Sequence, residues 1–483
     1  MRRASTVSGL FWSVLDMGGG QVLSFATFLV LARILSPEEY GAFALASTFV
    51  SLAFFLLQGL APAVVQRASI DEEHISTAFW TNLAIGAGLA AIMAGSADAL
   101  AAFFRNPPLA VALKWMALVC LPMALVSVPM ALFRRELDMS AFAARTVIGY
   151  LVGAAVSIPM ALRGFGVVAL ALGQVAQWVA TVLVFYALSS WRPKFRFSFP
   201  AFVELGRYCV HYSLAMATGF ATSKVDMWIL GAFLDPRSLG FYALALRLLS
   251  ALSSATVLPV DLLVVSLLRP HRSEHAQFNA EYQRIVIGVT SAWLPIVAGV
   301  GVLATILVPT AFGAKWVDSV PVVQAMCLSA FTFSLTAFTG EALSAWGRPD
   351  LFSKLELVRL AVTTAAFAAA APLGTVAAGL AWSLLPLAIV PIHLAVLQRT
   401  SGFESRRLVV EWAKVAASGA FMVATLMAMQ QLDLFGRWLP VVEIAVGAMA
   451  YLFLIGRFMP GYIEGLLKRG LDSMPIFATQ VKR

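Results

Sequence analysis

Residues 31–46 read LARILSPEEYGAFALA, and residues 230–245 read LGAFLDPRSLGFYALA. The second stretch repeats the first at an offset of 199 residues (230 minus 31). Leu35, Pro37, Gly41, Ala44, Leu45 and Ala46 find identical partners at Leu234, Pro236, Gly240, Ala243, Leu244 and Ala245. Proline fixes φ and cannot continue a helix, so Pro37 and Pro236 each predict the end of one helix and a turn. Glycine has no side chain to hold neighbours apart, so Gly41 and Gly240 predict a close approach of backbones at the start of the next helix. A Pro and a Gly at matched positions, each followed by the same Ala-Leu-Ala, indicate a duplicated helix–turn–helix element.

The repeat lies in a very apolar chain. Of its 483 residues 60% are hydrophobic and 12% charged, with a mean hydropathy of +0.85. Soluble domains are about 45–50% apolar and about 25% charged. The composition predicts an all-α polytopic membrane protein. A spanning helix needs about 20 mostly apolar residues, and fourteen segments qualify: 10–32, 40–64, 77–102, 109–133, 143–162, 167–190, 208–234, 240–263, 285–308, 320–345, 353–371, 375–397, 411–431 and 438–457. Pro372-Leu373-Gly374 separates the eleventh from the twelfth and reads as a hairpin, because the combined length exceeds one span.

Orientation follows from charge. Met1-Arg2-Arg3 precedes an apolar segment too long for a signal-peptide core, so the first segment reads as an uncleaved span with a cytoplasmic N-terminus. On that topology 25 of the 34 Lys and Arg residues fall inside and 7 outside, while Lys224 and Arg247 lie within spans. The asymmetry obeys the positive-inside rule and places both termini in the cytoplasm. It also accounts for the net charge of +9 without nucleic-acid binding. Cys120, Cys209 and Cys327 have no metal or redox spacing. His271 and His275, four apart, have no evident third ligand, so no metal site is predicted. Nucleophile elbow, phosphate loop and zinc-protease motifs are absent. The outer loops, around 309–319 and 432–437, are too short for a catalytic domain. The chain does not read as an enzyme and calls for no cofactor, although coupling to a proton or sodium gradient is compatible with it.

Six predicted spans separate the two copies, and an even number preserves topology. The core is therefore two parallel six-helix repeats, related by an axis along the membrane normal. Residues 1–190 form the first bundle, 191–207 a cytoplasmic connector, and 208–397 the second bundle. Residues 398–457 carry spans thirteen and fourteen, and 458–483 a tail. In the tail, Tyr462 to Arg469 suits either a surface amphipathic helix or a frayed end. Repeats of this kind commonly enclose a central cavity between halves that rock, which argues for a transporter.

Several stretches resemble a known family. They are Leu31-Ala32-Arg33-Ile34-Leu35-Ser36-Pro37-Glu38-Glu39-Tyr40-Gly41, Gln58-Gly59-Leu60, Val65-Gln66-Arg67, Phe133-Arg134-Arg135-Glu136-Leu137-Asp138 and Ala345-Trp346-Gly347-Arg348-Pro349-Asp350. Together they are similar to the bacterial polysaccharide transporters, the O-antigen and exopolysaccharide flippases (Wzx-like) of the multidrug/oligosaccharidyl-lipid/polysaccharide exporter superfamily. The similarity runs from about residue 8 to 400. It implies fourteen spans in a MATE-like fold, the bacterial inner membrane, and a polyprenyl-pyrophosphate-linked oligosaccharide as cargo. That cargo would be flipped to the outer leaflet for lipopolysaccharide, capsule or exopolysaccharide synthesis, alongside membrane lipid, a polysaccharide polymerase and chain-length proteins. The competing reading within the superfamily is a cation-coupled multidrug exporter. Such exporters typically carry acidic residues deep in the N-terminal half, where this chain has only Asp16.

Ionisable residues inside spans cost about 2.5–3.5 kcal/mol each on insertion scales and so need a reason. They are Asp16, Lys224, Asp226, Arg247, Asp261, Glu341 and Glu443. Lys224 and Asp226 are two apart, about 200° around a helix, and cannot pair with each other. One is expected to face the cavity and the other a neighbouring helix. Arg247, Ser250, Ser254 and Asp261 fall within about 60° and form a polar stripe, beneath which Pro259 predicts a kink. Arg247 aligns with Thr48 of the first copy and Ser250 with Ser51, so the cation is in one half only. Arg offers pyrophosphate a two-point fork and Lys a mobile point charge. Lys224 and Arg247 are therefore the candidate anion binders; the alternative is that Arg247 pairs with Asp226 to hold the bundle. Asp16, Asp261 and Glu341 are coupling or gating candidates, although Asp16 and Glu341 lie near span ends, where they could snorkel to water. Gln21 and Gln58 suit either sugar hydroxyls or helix–helix hydrogen bonds. Gly18-Gly19-Gly20 reads as a hinge or a packing site.

Overall fold

The two copies of the repeat fold alike. Leu35 ends one helix with its N–H on the Leu31 carbonyl at 2.9 Å, and Leu234 ends another with its N–H on Leu230 at 2.8 Å. Proline then takes the first helical position, where its missing N–H costs nothing. The following helix runs 21 residues in each copy, Pro37–Leu57 and Pro236–Thr256, so the offset of 199 holds at both ends. Only the caps differ. Ser36 and Glu39 form a reciprocal capping box, the Ser36 hydroxyl accepting from the Glu39 N–H and Glu39 Oε2 from the Ser36 N–H. At the equivalent position Asp235 Oδ2 accepts from the N–H groups of Arg237 and Ser238, at 3.1 and 3.2 Å. Burial pushes the Asp235 carboxyl up, but the bonds from Ser238 and Arg237 outweigh it and hold the group below the usual carboxylate range.

The computed structural model describes residues 12, 15–60, 71–136, 139–432 and 439–459. No strand occurs among them. After a π-helical turn at Leu15–Gly19 come α1 (Gly20–Ile34), α2 (Pro37–Leu57), α3 (Glu72–Phe103), α4 (Pro107–Met116), α5 (Cys120–Glu136), α6 (Met139–Leu162), α7 (Val167–Leu188), α8 (Phe199–Phe233) and α9 (Pro236–Thr256). Then follow α10 (Leu258–Leu268), α11 (His275–Phe312), α12 (Val320–Cys327), α13 (Ser334–Ala337), α14 (Thr339–Trp346), α15 (Pro349–Ala370), α16 (Thr375–Ser401), α17 (Ser405–Leu432) and α18 (Leu439–Phe458). Where the fourteen predicted segments fall on described residues, those residues are helical or in runs of short helices. Among the described residues ten helices are long and apolar enough to cross a membrane. The count is eleven if the bent pair Ala314–Phe331 and Ser334–Trp346, 60° apart, is one span. The chain is thus a multi-pass membrane protein. The tail stretch 462–469, Val65-Gln66-Arg67 and Leu137-Asp138 lie outside the described residues.

Two departures from the expected bounds, and one agreement, bear on the site. The eighth segment is two helices: α9 ends at Thr256 and α10 restarts at Leu258, with Pro259 in its first turn. A proline there starts a new helix rather than kinking the old one, so the stripe from Arg247 to Asp261 crosses a break. Helix α8 begins at Phe199, nine residues before the expected start and inside the stretch read as connector. Pro200 sits in its first turn, a position proline favours, and the connector shrinks to residues 189–198. Between α15 and α16, Gly374 takes φ +97° after a short turn at Ala371–Leu373. That left-handed conformation favours glycine and makes two separate helices, as the hairpin reading requires.

The chain forms two compact units. The first comprises Met1–Ser254, Val308–Val322 and Lys354–Ala381 and contains both copies of the repeat. The second comprises Ala255–Leu307, Val323–Ser353 and Trp382–Arg483. In the second, the Ser383 hydroxyl donates to the Ala325 and Met326 carbonyls at 2.7 and 2.8 Å. There the Ala345–Asp350 motif acts as a helix stop. Gly347 caps α14 with φ +84°, Arg348 grips Asp350 through two bonds of 2.9 and 3.0 Å, and Trp346 meets His275 and Phe278 edge-on.

Candidate functional site

Within the first unit the two copies meet at their glycines. A Cβ placed on Gly41 would overlap the Pro236 carbonyl oxygen and stand 2.7 Å from the Gly240 nitrogen. One placed on Gly240 would overlap the Pro37 carbonyl oxygen and stand 2.7 Å from the Pro37 carbonyl carbon. The contact is reciprocal, as expected of two repeats about a pseudo-two-fold axis. Further bonds close the same end. Arg33 Nε donates to the Ala311 carbonyl at 2.7 Å and its terminal nitrogen to Thr310. Trp316 Nε1 donates to Ala32 at 2.8 Å and Lys315 Nζ to Arg33 at 2.9 Å. Arg237 spans Asp318 at 3.2 Å and Glu38 at 3.8 Å.

Below this crossing the copies diverge. Thr48 on α2 accepts from Trp228 Nε1 on α8 at 2.8 Å. Its counterpart Arg247 on α9 donates to the Ser24 hydroxyl on α1 and lies 6.0 Å over the Phe28 ring. Each residue thus reaches across to the first helix of the other copy. The reach differs: Trp228 aligns with Leu29, whereas Ser24 lies five residues nearer the start of α1. The long arginine side chain therefore carries its charge more than one turn further from the glycine crossing, toward mid-membrane.

Helix α8 is continuous past Gly219, so Lys224 and Asp226 point apart as their spacing requires. Asp226, 7% exposed, accepts from the fully buried Tyr242 hydroxyl on α9 at 2.8 Å. It does not pair with Arg247. Lys224 is half-buried and, among the described residues, makes no hydrogen bond or ion pair. Phe220 and Trp228, four residues before and after it, share its face and pack against α2 through Phe55 and Phe49, at 5.2 and 6.1 Å between ring centroids. Lys224 therefore lies between two aromatic contacts on the face turned to the first copy.

The remaining candidates scatter. Ser250 is exposed, and Ser254 spends its hydroxyl on the Ser250 carbonyl of its own helix at 2.8 Å. Gln21 is exposed on α1. Gln58, in the turn that ends α2, has a buried Oε1 with no hydrogen-bond partner among the described residues. Asp16, in the π-helical turn, accepts from the Thr146 hydroxyl and lies 3.8 Å from Arg145, both on α6. Close by, a Cβ on Gly20 would stand 2.6 Å from Thr146 Cγ2, so the last of the three glycines is a packing site. Asp261 and Glu341 sit in the first turns of α10 and α14, in the second unit. His275 Nδ1 is bonded to the Ser401 carbonyl at 2.8 Å, and His271 Nδ1 to Gln277 at 3.1 Å.

A family model described as "Polysaccharide biosynthesis protein" matches residues 30–321, more than half of the chain. The chain belongs to the polysaccharide biosynthesis protein family. Its relatives agree with that membership. It is 28% identical over 382 residues to the succinoglycan biosynthesis transport protein ExoT of Rhizobium meliloti, covering 77% of this chain and 75% of that protein. It is 23% identical over 375 residues to the lipopolysaccharide biosynthesis protein WzxC of Escherichia coli, covering 74% and 73%. The fold is shared with solved transporters. The lipid II flippase MurJ in an inward closed conformation superposes with a TM-score of 0.77 at 13% identity, over 94% of this chain and 100% of that one. An inward-facing multidrug resistance MATE transporter superposes at 0.66 and 15% identity, over 82% and 98%. Among the residues that this family member's sequence did not flag are Ser24, Trp228, Tyr242 and Trp316. Only Tyr242 left a trace, as a hydroxyl added where the first copy has Phe43.

Proposed function

We propose that this protein flips a polyprenyl-pyrophosphate-linked oligosaccharide across the bacterial inner membrane by alternating access, with both termini cytoplasmic. The cargo would serve lipopolysaccharide, capsule or exopolysaccharide synthesis, handed on to a polymerase and chain-length proteins. The observation that carries this reading is a pair of cations that form no ion pair with a carboxylate among the described residues. Arg247 rests on a neutral hydroxyl and a ring face. Lys224 has no bonding partner among the described residues, and Asp226, the nearest acid in sequence, is committed to Tyr242. A cation without an ion-pair partner in a membrane bundle is expensive, and a pyrophosphate would neutralise it with strong, charge-assisted bonds. The relatives support the same cargo class: one bears succinoglycan transport in its name and another lipopolysaccharide biosynthesis. The closed end at Gly41 and Gly240 is then the exit that must part for release. Asp16, Asp261 and Glu341 are the carboxylates through which a proton or sodium gradient would couple.

The MATE likeness favours a second reading, a cation-coupled multidrug exporter, but the intramembrane cations suit an anionic cargo better. Lys224→Ala and Arg247→Ala, at normal protein levels, should each lower flipping or polysaccharide complementation at least about tenfold, equivalent to about 1.4 kcal/mol of cargo binding. Lys224→Arg should retain most activity. Full activity in both alanine variants overturns the proposal, and a change confined to drug susceptibility would favour the exporter.

A further inference from the structure

The segment that joins α7 to α8 is a basic and aromatic run, Trp191-Arg192-Pro193-Lys194-Phe195-Arg196-Phe197-Ser198. It is strapped to the first turns of α3. Trp191 Nε1 donates to Glu72 Oε1 at 3.1 Å, and Trp80 Nε1 donates to the Lys194 carbonyl at 2.8 Å. The Ser198 N–H donates to Thr77 Oγ1 at 3.0 Å, and the Phe195 ring stacks on Trp80 with centroids 4.9 Å apart. Yet the strap turns its phenylalanines outward. Phe195 is 92% exposed, Phe197 58% and Phe199 67%, and Phe202 and Val203 continue the patch onto α8.

The site of this patch says what covers it. Helix α3 has 32 residues and α8 has 35, against the about 20 that cross the hydrocarbon. Helices this long extend past the hydrocarbon, and the strap packs on the N-terminal turns of both, where Asp71, Glu72, Glu73 and His74 make α3 polar. Phe, Trp and Leu side chains bury in the boundary between lipid and water when Lys and Arg beside them stay wet. The charges fit the same place. The acids beside the strap are largely engaged: Glu72 faces Lys194 at 3.7 Å, and Asp71 and Glu204 flank His74. Arg192 spends one nitrogen on the carbonyls of Ser189 and Trp191. Arg196 has no side-chain partner among the described residues, which leaves its guanidinium free for a phosphate.

We infer that residues 191–203 form a lipid-docking strap. Phe195, Phe197 and Phe199 enter the headgroup–acyl boundary, and Arg196, with Arg192, takes phospholipid phosphates. The link between the two copies of the repeat is thereby held at the bilayer surface.

The test is immersion. The full chain, with Cys120, Cys209 and Cys327 replaced by alanine and a spin label on Phe197→Cys, is placed in phosphatidylglycerol/phosphatidylethanolamine nanodiscs. The label should be accessible to oxygen and shielded from a water-soluble nickel chelate. Adding Phe199→Asp with Arg196→Glu should reverse that ratio while the unfolding profile stays cooperative. A label on Phe199→Cys guards against loss of the first variant and should read the same. A label that reports water in nanodiscs overturns the inference. So does one shielded only in native membranes, which would make the partner a protein, or one whose immersion ignores the paired substitutions.

Discussion

The helix pair α1–α2 and the helix pair α8–α9 descend from one pattern and do different work. Where they agree they touch each other: Gly41 and Gly240 cross so closely that neither tolerates a Cβ. Where they differ, polarity has accumulated on one side. Phe25, Thr27, Phe43 and Thr48 of the first pair stand opposite Lys224, Asp226, Tyr242 and Arg247 of the second. Duplication kept the joint and freed the interior. A joint shared by two copies must be preserved in both, since a change in either spoils the contact. An interior position answers only to its own neighbours, so one copy can acquire a binding charge while the other stays neutral.

The strongest way to break this comparison is at the joint. Gly41→Ala and Gly240→Ala should each cost about 3 kcal/mol through overpacking, with a matching loss of complementation. The double variant should cost less than the two added, because both methyl groups act at one crossing. Thermal unfolding of detergent-purified protein checks this. A silent substitution at one glycine beside a severe one at the other would show that the contact is not shared.

A middling effect tests the divergence. Tyr242→Phe leaves the buried Asp226 carboxylate without its donor and should cost about 2 kcal/mol. Thr27→Val, at the position matching Asp226, removes only a bond to Leu23 within its own helix and should stay within about 0.5 kcal/mol. Equal losses in denaturant titration would argue that the second pair's polar network adds nothing.

The smallest effect lies in the caps. Asp235→Ala and Ser36→Ala should each cost about 1 kcal/mol, but only one cap titrates. The folded Asp235 carboxyl lies below its ordinary value. Its contribution is therefore complete above the unfolded value near ~3.9 and disappears as pH falls through the lower folded value. Asp235→Ser should keep a cap while removing that acid sensitivity. Unfolding midpoints followed from about pH 5 to about pH 2 should fall more steeply in the wild-type protein than in Asp235→Ser. Identical slopes would mean that the two caps are physically alike.

Much of the fold was legible because its signals are local. Pro37 and Pro236 mark helix starts through their own covalent geometry, and the divergence of Lys224 from Asp226 follows from 3.6 residues per turn. The break after Thr256 was legible only as a kink, since a proline in the first turn of a new helix and one inside an old helix look alike in sequence. The site was less legible. Arg247 finds Ser24 across 223 residues, and no periodicity connects two such positions. Nor does any pattern say that Asp226 would choose Tyr242 and leave the arginine to a neutral hydroxyl.

By itself the sequence determined a membrane-spanning helical chain, its internal duplication, the close approach at Gly41 and Gly240, and the placing of Lys224, Asp226 and Arg247 in one copy. These follow from transfer free energy, backbone sterics and counting. Only the tertiary structure decided which of those charges are satisfied. Whether a buried cation is neutralised depends on which donors and acceptors other helices bring within about 3 Å, and that is a property of packing, settled far from each residue along the chain.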